Sequence, residues 1–208
     1  MVGQTIGSKL IQLGHEVRMG SRSANNEKAL AWVKESGSQA SQGTFKDSAE
    51  FGEIVFNCTN GDGALSALRS AGAENLAGKI LVDISNALDF SHGFPPTLSV
   101  CNTDSLGEQI QREFPEAKVV KTLNTTNCQV MVNPALVPGA HDVFMSGNDA
   151  DAKAKVREIL TGWFGWQVVI DVGDITTARG TEQLLPIWVR LMGALQTPMF
   201  NFHIAKAS

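Results

Sequence analysis

VGQTIGSKLIQLGHEVRMGSR, residues 2–22, decides how the rest of the chain is read. Residues 5–13 read as a helix, Gly14-His15 as its stop, and residues 16–20 as a strand. A dinucleotide fingerprint needs a strand, a glycine-rich turn and a helix. The glycines let the backbone approach a pyrophosphate, and the helix N-terminus offers unpaired N–H groups. The helix and the strand after it are present, but no strand stands in front. The chain reads as if Met1 followed the second glycine of G-x-G-x-x-G, with Gly3 as the third glycine and Val2 beside it. In a doubly wound sheet the first strand is central, so a sheet without it has exposed edges on both sides of the gap. The strand and its two glycines are therefore expected upstream of Met1, and a chain starting at Met1 is expected to be unstable.

The next loop carries the cofactor choice. About 20 positions after the glycines, an acidic residue binds the ribose 2′-hydroxyl of NAD, whereas a cation there accommodates a 2′-phosphate. This chain has Gly20-Ser21-Arg22 at that place. A guanidinium pairs with phosphate through two hydrogen bonds and the Ser21 hydroxyl adds a donor, so NADP(H) is expected over NAD(H). Lys28, on the following helix, is a candidate to reinforce the phosphate site.

Outward from this unit, apolar runs and helical patterns alternate. Helices are expected at residues 26–36, 63–71, 106–114 and 149–163. Strands are expected at 53–59 (EIVFNCT), 79–85 (KILVDIS), 118–123 (KVVKTL), 141–146 (HDVFMS) and 166–172 (WQVVIDV). The near-continuous apolar strands suit a parallel sheet buried on both faces. The fold class expected is α/β, a Rossmann doubly wound, mostly parallel sheet lacking its first strand. Residues 1–175 form the nucleotide-binding domain in this reading. Residues 176–208 form a C-terminal helical extension, so apolar around Leu184, Leu185, Ile187, Trp188, Val189, Leu191 and Met192 that it packs over the cleft or on a partner subunit. A homodimer through this helix is expected.

Composition narrows the rest. At 208 residues, 43% hydrophobic and 18% charged, the chain is globular, and its net charge of -4 gives no general attraction for nucleic acid or an anionic membrane. No apolar run near the front is long enough for a secretory signal or a membrane span, and a cytoplasmic location is expected. Cys58, Cys101 and Cys128 lack any paired spacing, so they read as small buried or half-buried side chains rather than disulfides or metal ligands. The four histidines are dispersed and read as surface or capping groups. Asp83 ends a buried strand, where it could orient Ser85 or cap the next loop. Thr125-Thr126-Asn127 is a polar run directly after a parallel strand, where function sits in this architecture.

Taken together, residues 2–22, EIVFNCTN, KILVDISN, KVVKTLNTTNCQVM, VFMSGNDADAK and GDITTARGTEQLLPIWVRLM resemble the coenzyme F420-dependent NADP reductases, whose dinucleotide domain is also similar to that of the STEAP ferric reductases. The resemblance implies that Ser21 and Arg22 hold the 2′-phosphate and that Val2 and Gly3 line the pyrophosphate. It further implies that Thr59 and Asn60 lie beside the nicotinamide, with Ser85, Asn86, Asn124 and Thr125 along the same cleft. Asn60 stands where the reductases often have proline, and Asn124 where they have histidine. The activity implied is hydride transfer between NADP(H) and a flavin-like or deazaflavin acceptor, coenzyme F420 or a flavin, by positioning alone, with no catalytic acid or base and no metal. Two other readings share the same nucleotide residues. One is an NADP(H)-sensing regulatory module without turnover, whose second pocket the tail would fill. The other is a reductase of a small imine or carbonyl, which would need a proton donor at the cleft.

Overall fold

The computed structural model describes residues 1–207. Helix α1 (Val2–Gln12) ends before Gly14, whose φ of 91° turns the chain into strand β1 (Val17–Ser21). Helix α2 (Glu27–Ser36) begins where the Asn26 side chain accepts a hydrogen bond from the Ala29 N–H. Strand β2 (Ala40–Thr44) leads into α3 (Phe45–Phe51) through a capping box. Thr44 Oγ1 accepts from the Asp47 N–H, and Asp47 Oδ2 from the Thr44 N–H. There follow β3 (Ile54–Asn57), α4 (Gly61–Ala71), the short α5 (Ala73–Leu76) and β4 (Ile80–Asp83).

A small antiparallel hairpin, β5 (Leu88–Asp89) and β6 (Thr97–Leu98), precedes α6 (Leu106–Glu113) and β7 (Lys118–Thr122). The chain then forms α7 (Cys128–Val132), β8 (Asp142–Gly147), α8 (Ala150–Glu158) and β9 (Val168–Gly173), and ends in α9 (Ala178–Glu182) and α10 (Leu185–Leu195). Asp149 caps α8, its Oδ1 accepting from the Ala152 N–H.

The strands form two main sheets. β1 pairs with β2 in parallel, and five strands run in the order β3-β4-β7-β8-β9. β3, β4 and β7 are parallel to one another, β8 is antiparallel to β7, and β9 is parallel to β8. The five-stranded sheet has an apolar core on each face. Ile6, Leu10, Val130, Met131, Val156 and Trp166 fill one side, and Ala64, Leu68, Leu76, Ile110 and Phe114 the other. The α/β doubly wound class is therefore observed. The sheet is mostly parallel, as expected, with the one antiparallel pairing between β7 and β8, and β1 and β2 stand as a separate pair.

Between β1 and β3 the two sheets leave a slot of about 760 Å³, lined by Ile6 and Leu10 of α1, by both strands, and by Ala67 and Leu68 of α4. Its effect shows in the strands beside it: every residue of β1 is only partly buried, whereas β4 and β7 are buried at all but their first position.

Several expectations are corrected. The strand β2 and helix α3 were not expected, because Ala-Ser-Gln-Gly-Thr carries no apolar pattern and pairs along one edge only. The single helix expected at residues 149–163 is α8 followed by one wider turn of π-helix, Ile159–Trp163. Cys101 is exposed, not buried. At the start of the tail, Ile175 and Ala178 pack in the same apolar cluster as Ala64, Leu68 and Ile110. α10 buries Leu185 and Val189 and leaves Ile187 and Leu195 46% and 53% exposed in the single chain.

Candidate nucleotide-binding site

The carboxyl ends of β1, β3, β4 and β7 carry most of the candidate residues. β1 runs directly into Ser21, whose hydroxyl donates to the Ser23 carbonyl at 2.6 Å, while Ser23 Oγ accepts from the Asn25 N–H. These bonds shape the loop so that Arg22 stands exposed at its turn. Arg69, Arg112 and Arg179 all pair with carboxylates; Arg22 has no ion pair among the described residues. Its guanidinium lies 3.9 Å from where a Cβ would stand on Gly63, over the first turn of α4. Asn60 at its N-cap makes no side-chain capping bond; the Gly63 N–H donates to the Asn60 carbonyl at 2.9 Å, and the Gly61 and Asp62 N–H groups ahead of it are the free donors of the turn. An unpaired guanidinium beside an uncapped helix N-terminus suits a phosphate. Lys28 is exposed on the first turn of α2, and Gln4 of α1 donates to its carbonyl at 3.2 Å.

After β3, the loop holding Thr59 and Asn60 presses against the loop after β4. A Cβ on Gly61 would stand 2.0 Å from the Asn86 carbonyl oxygen, so only glycine allows these two backbones to meet. Thr59 and Asn86 are half-buried and Asn60 is exposed. Ser85, Asn124 and Thr125 are instead buried, with exposures of 3%, 4% and 2%. They form the layer beneath the surface of the cleft. Leu123, at φ 60°, turns the chain sharply after β7 and sets Asn124 in place. Asn124 Nδ2 donates to Asn86 Oδ1 at 3.0 Å and to the Thr181 carbonyl at 3.2 Å, while Asn86 Nδ2 donates to the Asn124 carbonyl at 2.8 Å. Val2 and Gly3 begin α1 at the rim of the slot. Gly3 lies against Met19 and Cys58, where an added Cβ would make ordinary contacts at 3.5 Å.

Below this layer lies an ionic cluster that sequence reasoning did not find. Lys121 is fully buried, and its Nζ reaches Asp83 Oδ2 at 2.7 Å, Glu182 Oε1 at 2.8 Å and the Ser85 carbonyl at 2.5 Å. Burial alone would lower the Lys121 pKa, but the two carboxylates outweigh it and hold the ammonium above its ordinary value. Asp83 Oδ1 accepts from the Ser85 hydroxyl at 2.6 Å and from Asn57 Nδ2 at 2.8 Å, and Asn57 Oδ1 accepts from the Thr59 hydroxyl at 2.6 Å. Glu182 also accepts from the Leu106 and Gly107 N–H groups of α6. The cluster thus ties the loops after β3 and β4 to the tail. The expected orientation of Ser85 by Asp83 is present; the lysine was read as part of an apolar strand, and nothing in its spacing marked it as a partner of Glu182.

Among the described residues five buried polar atoms make no hydrogen bond: Gln42 Oε1, Ser48 Oγ, Thr126 Oγ1, Trp188 Nε1 and Asn201 Oδ1. Thr126 belongs to the polar run after β7. Cys58 does not look reactive, because burial and then the Asp83 charge push its thiol up to about 12. No group of three or more potential metal ligands occurs among the described residues. No helix is long and apolar enough to cross a membrane. A second cavity of about 440 Å³ opens between the β5–β6 hairpin and α10, lined by Pro95, Leu98, Asn102, Gln183, Pro186 and Arg190.

The chain is similar to several known proteins. Residues 1–87 match the family described as NADP oxidoreductase, coenzyme F420-dependent. A solved structure from Arthrobacter sp. FB24, provisionally assigned as an F420-dependent NADP reductase, is 56% identical, with a TM-score of 0.93 over 99% of this chain and 95% of that one. The metalloreductase STEAP3 of Rattus norvegicus is 29% identical over 191 residues, which are 89% of this chain but 35% of that protein, so the chain spans about a third of that relative. An imine reductase from Myxococcus stipitatus in complex with NADP+ shares the fold, at 19% identity and a TM-score of 0.61 over 94% of this chain and 61% of that one.

Proposed function

The chain belongs to the family of coenzyme F420-dependent NADP oxidoreductases, and from that premise we propose that it moves hydride between NADP(H) and a flavin-like or deazaflavin acceptor of the coenzyme F420 type. The observation that carries the reading is Arg22: a guanidinium without a carboxylate partner, at the carboxyl end of β1 and above the free N–H groups of α4. Ser21 and Lys28 add donors to the same 2′-phosphate. Val2 and Gly3 border the pyrophosphate, and Thr59, Asn60 and Asn86 face the nicotinamide half. Asn124 holds Asn86 from beneath, Ser85 joins the Asn57–Asp83 network under Thr59, and Thr125 lies buried in the same layer.

NADP(H) supplies the hydride, and the chain supplies position. Direct transfer between two stacked rings needs no proton from a side chain. The buried titratable groups beneath the cleft are committed to one another: Asp83 and Glu182 both bind Lys121. That arrangement favours a ring acceptor over an imine or carbonyl, which would need a proton donor at the cleft. In this proposal the cavity between the hairpin and α10, which carries the exposed cation Arg190, is the acceptor subsite; a sensor would instead have its tail fill the space over the nicotinamide.

The test is a tryptophan fluorescence titration with NADPH and NADH, followed by NADPH oxidation assays with flavin and deazaflavin acceptors. A charge-assisted phosphate contact contributes about 1.5–3 kcal/mol, so NADPH should bind roughly 10- to 100-fold tighter than NADH, with the preference lost in Arg22→Ala. Equal affinities for the two nucleotides would sink the cofactor assignment. Tight NADPH binding without turnover of either acceptor would favour the regulatory module.

A further inference from the structure

The β5–β6 hairpin carries two phenyl rings that nothing else in the chain covers. Phe90 and Phe94 are 52% and 68% exposed, more than any other aromatic side chain among the described residues. Neither belongs to an apolar cluster or to an aromatic pair there. Single exposed apolar side chains are ordinary, but two rings four positions apart on one turn form a patch. The turn that holds them has a defined shape. Asp89 Oδ1 accepts from the Ser91 N–H at 2.8 Å, and the Phe90 carbonyl accepts from the Gly93 N–H at 2.9 Å.

Both ends of the hairpin stand on the cleft. The Asn86 carbonyl accepts from the Leu88 N–H at 2.8 Å and the Ala87 carbonyl from the Ser99 N–H at 2.9 Å, so the ribbon rises directly from the loop that meets Gly61. Leu88 lies opposite Leu98, and residues paired across a ribbon share a face. Leu98 lines the cavity between the hairpin and α10, and the two-residue period places Phe90 on the face of Leu88 and Leu98. Pro95 and Pro96, which follow Phe94, line the same cavity. The opposite wall is Gln183, Pro186 and Arg190. Gln183 stands two positions after Thr181, whose carbonyl accepts from Asn124, and Leu88 stands two positions after Asn86. The cavity therefore adjoins the Asn86–Asn124–Thr181 network from both sides.

We propose that Phe90 and Phe94 form an aromatic clamp for the acceptor, stacking on a planar conjugated ring that enters this cavity and leaving its anionic tail to Arg190. The inference rests on the hydride-transfer reading and names the side chains that select its second substrate. Phenyl faces suit a flavin or deazaflavin, because offset stacking favours a large flat π-system and contributes little to binding a small imine or carbonyl.

The test measures ring binding directly, from the fluorescence of FMN and of coenzyme F420 titrated with the full chain in the presence of NADP+. Phe90→Ala and Phe94→Ala should each raise the Kd for the ring by about tenfold, the effect of one lost stacking contact. The NADPH Kd and the unfolding temperature should stay unchanged, since both rings are exposed. Phe94→Leu, which keeps apolar surface without a ring, should remain weak, and Phe94→Trp should restore binding. Alanine variants that bind the ring as tightly as the unaltered chain would overturn the clamp, and NADPH turnover with that same ring would then leave the hydride-transfer reading standing. Full recovery by leucine would overturn it too, since any apolar side chain would then serve. Binding of neither ring by the unaltered chain would overturn the clamp and the flavin-like acceptor together.

Discussion

At the scale of single residues, Lys121 has the most interactions to lose. Its ammonium is sealed from water between Asp83 and Glu182, so Lys121→Met would strand two carboxylates in the interior with no cation between them. Breaking one partner out of a buried ionic group costs about 3–5 kcal/mol. Urea denaturation should show a loss of that size, and a Lys121→Met, Glu182→Leu double variant should recover part of it; full stability in the single variant would show that the cluster holds nothing together. Arg22 has the opposite character, exposed and unpaired, so replacing it should alter nucleotide choice with little effect on the midpoint. The sequence exposed Arg22 because its spacing from the glycines carries chemical meaning. It hid Lys121 because a lysine inside KVVKTL becomes a buried cation only when Glu182, some 60 residues later, folds back onto it.

Elements tell a similar story. The helices at α1, α2, α4, α6 and α8 and the strands β3, β4 and β7 were legible from their apolar runs and caps, with ends displaced by a few residues. β2 was not legible, since an edge strand that pairs on one side can be Ala-Ser-Gln-Gly-Thr and remain stable. Where two loops meet, the consequence is testable. Gly61→Ala places a methyl 2.0 Å from the Asn86 carbonyl oxygen, and backbone atoms on both sides must move. The loops after β3 and β4 should separate, weakening NADPH binding by about tenfold or more and lowering stability by about 1–3 kcal/mol. Unchanged affinity in a titration would place the nicotinamide elsewhere. The second cavity gives a prediction of another kind. Arg190→Ala, on the exposed side of α10, should raise the KM for an anionic deazaflavin while leaving the NADPH Kd unchanged; a parallel loss of both would mean that Arg190 supports the fold and not the acceptor.

For the molecule as a whole, acidity offers a way to test how the tail is attached. The joint between α6 and α9 is ionic at its rim. Arg179 of α9 forms two hydrogen bonds with Glu108 of α6, and beside them, within the α6 side of the joint, Arg112 pairs with Asp104 at 2.7 Å. The Arg112 contact holds the Asp104 carboxyl down at about 2, and Arg179 lowers that of Glu108. A carboxylate with a depressed folded pKa stabilises the native state above its unfolded value, near 4, and this contribution is lost as pH falls through the folded value. The joint should therefore be intact at neutral pH and weaken once the pH falls below the ordinary carboxylate range, as Glu108 takes up its proton. Trp188 stacks on Phe200 with ring centroids 5.3 Å apart, so its surroundings report on the tail, whereas Trp166 sits in the core. With the other tryptophans replaced in turn, acid titration should change Trp188 fluorescence at higher pH than Trp166 fluorescence. Glu108→Gln should move the Trp188 transition toward neutral pH and leave the Trp166 transition in place. A single transition shared by both, unmoved by that substitution, would mean that the tail is held by its apolar contacts through Ile175 and Ala178 and that the ionic rim adds nothing.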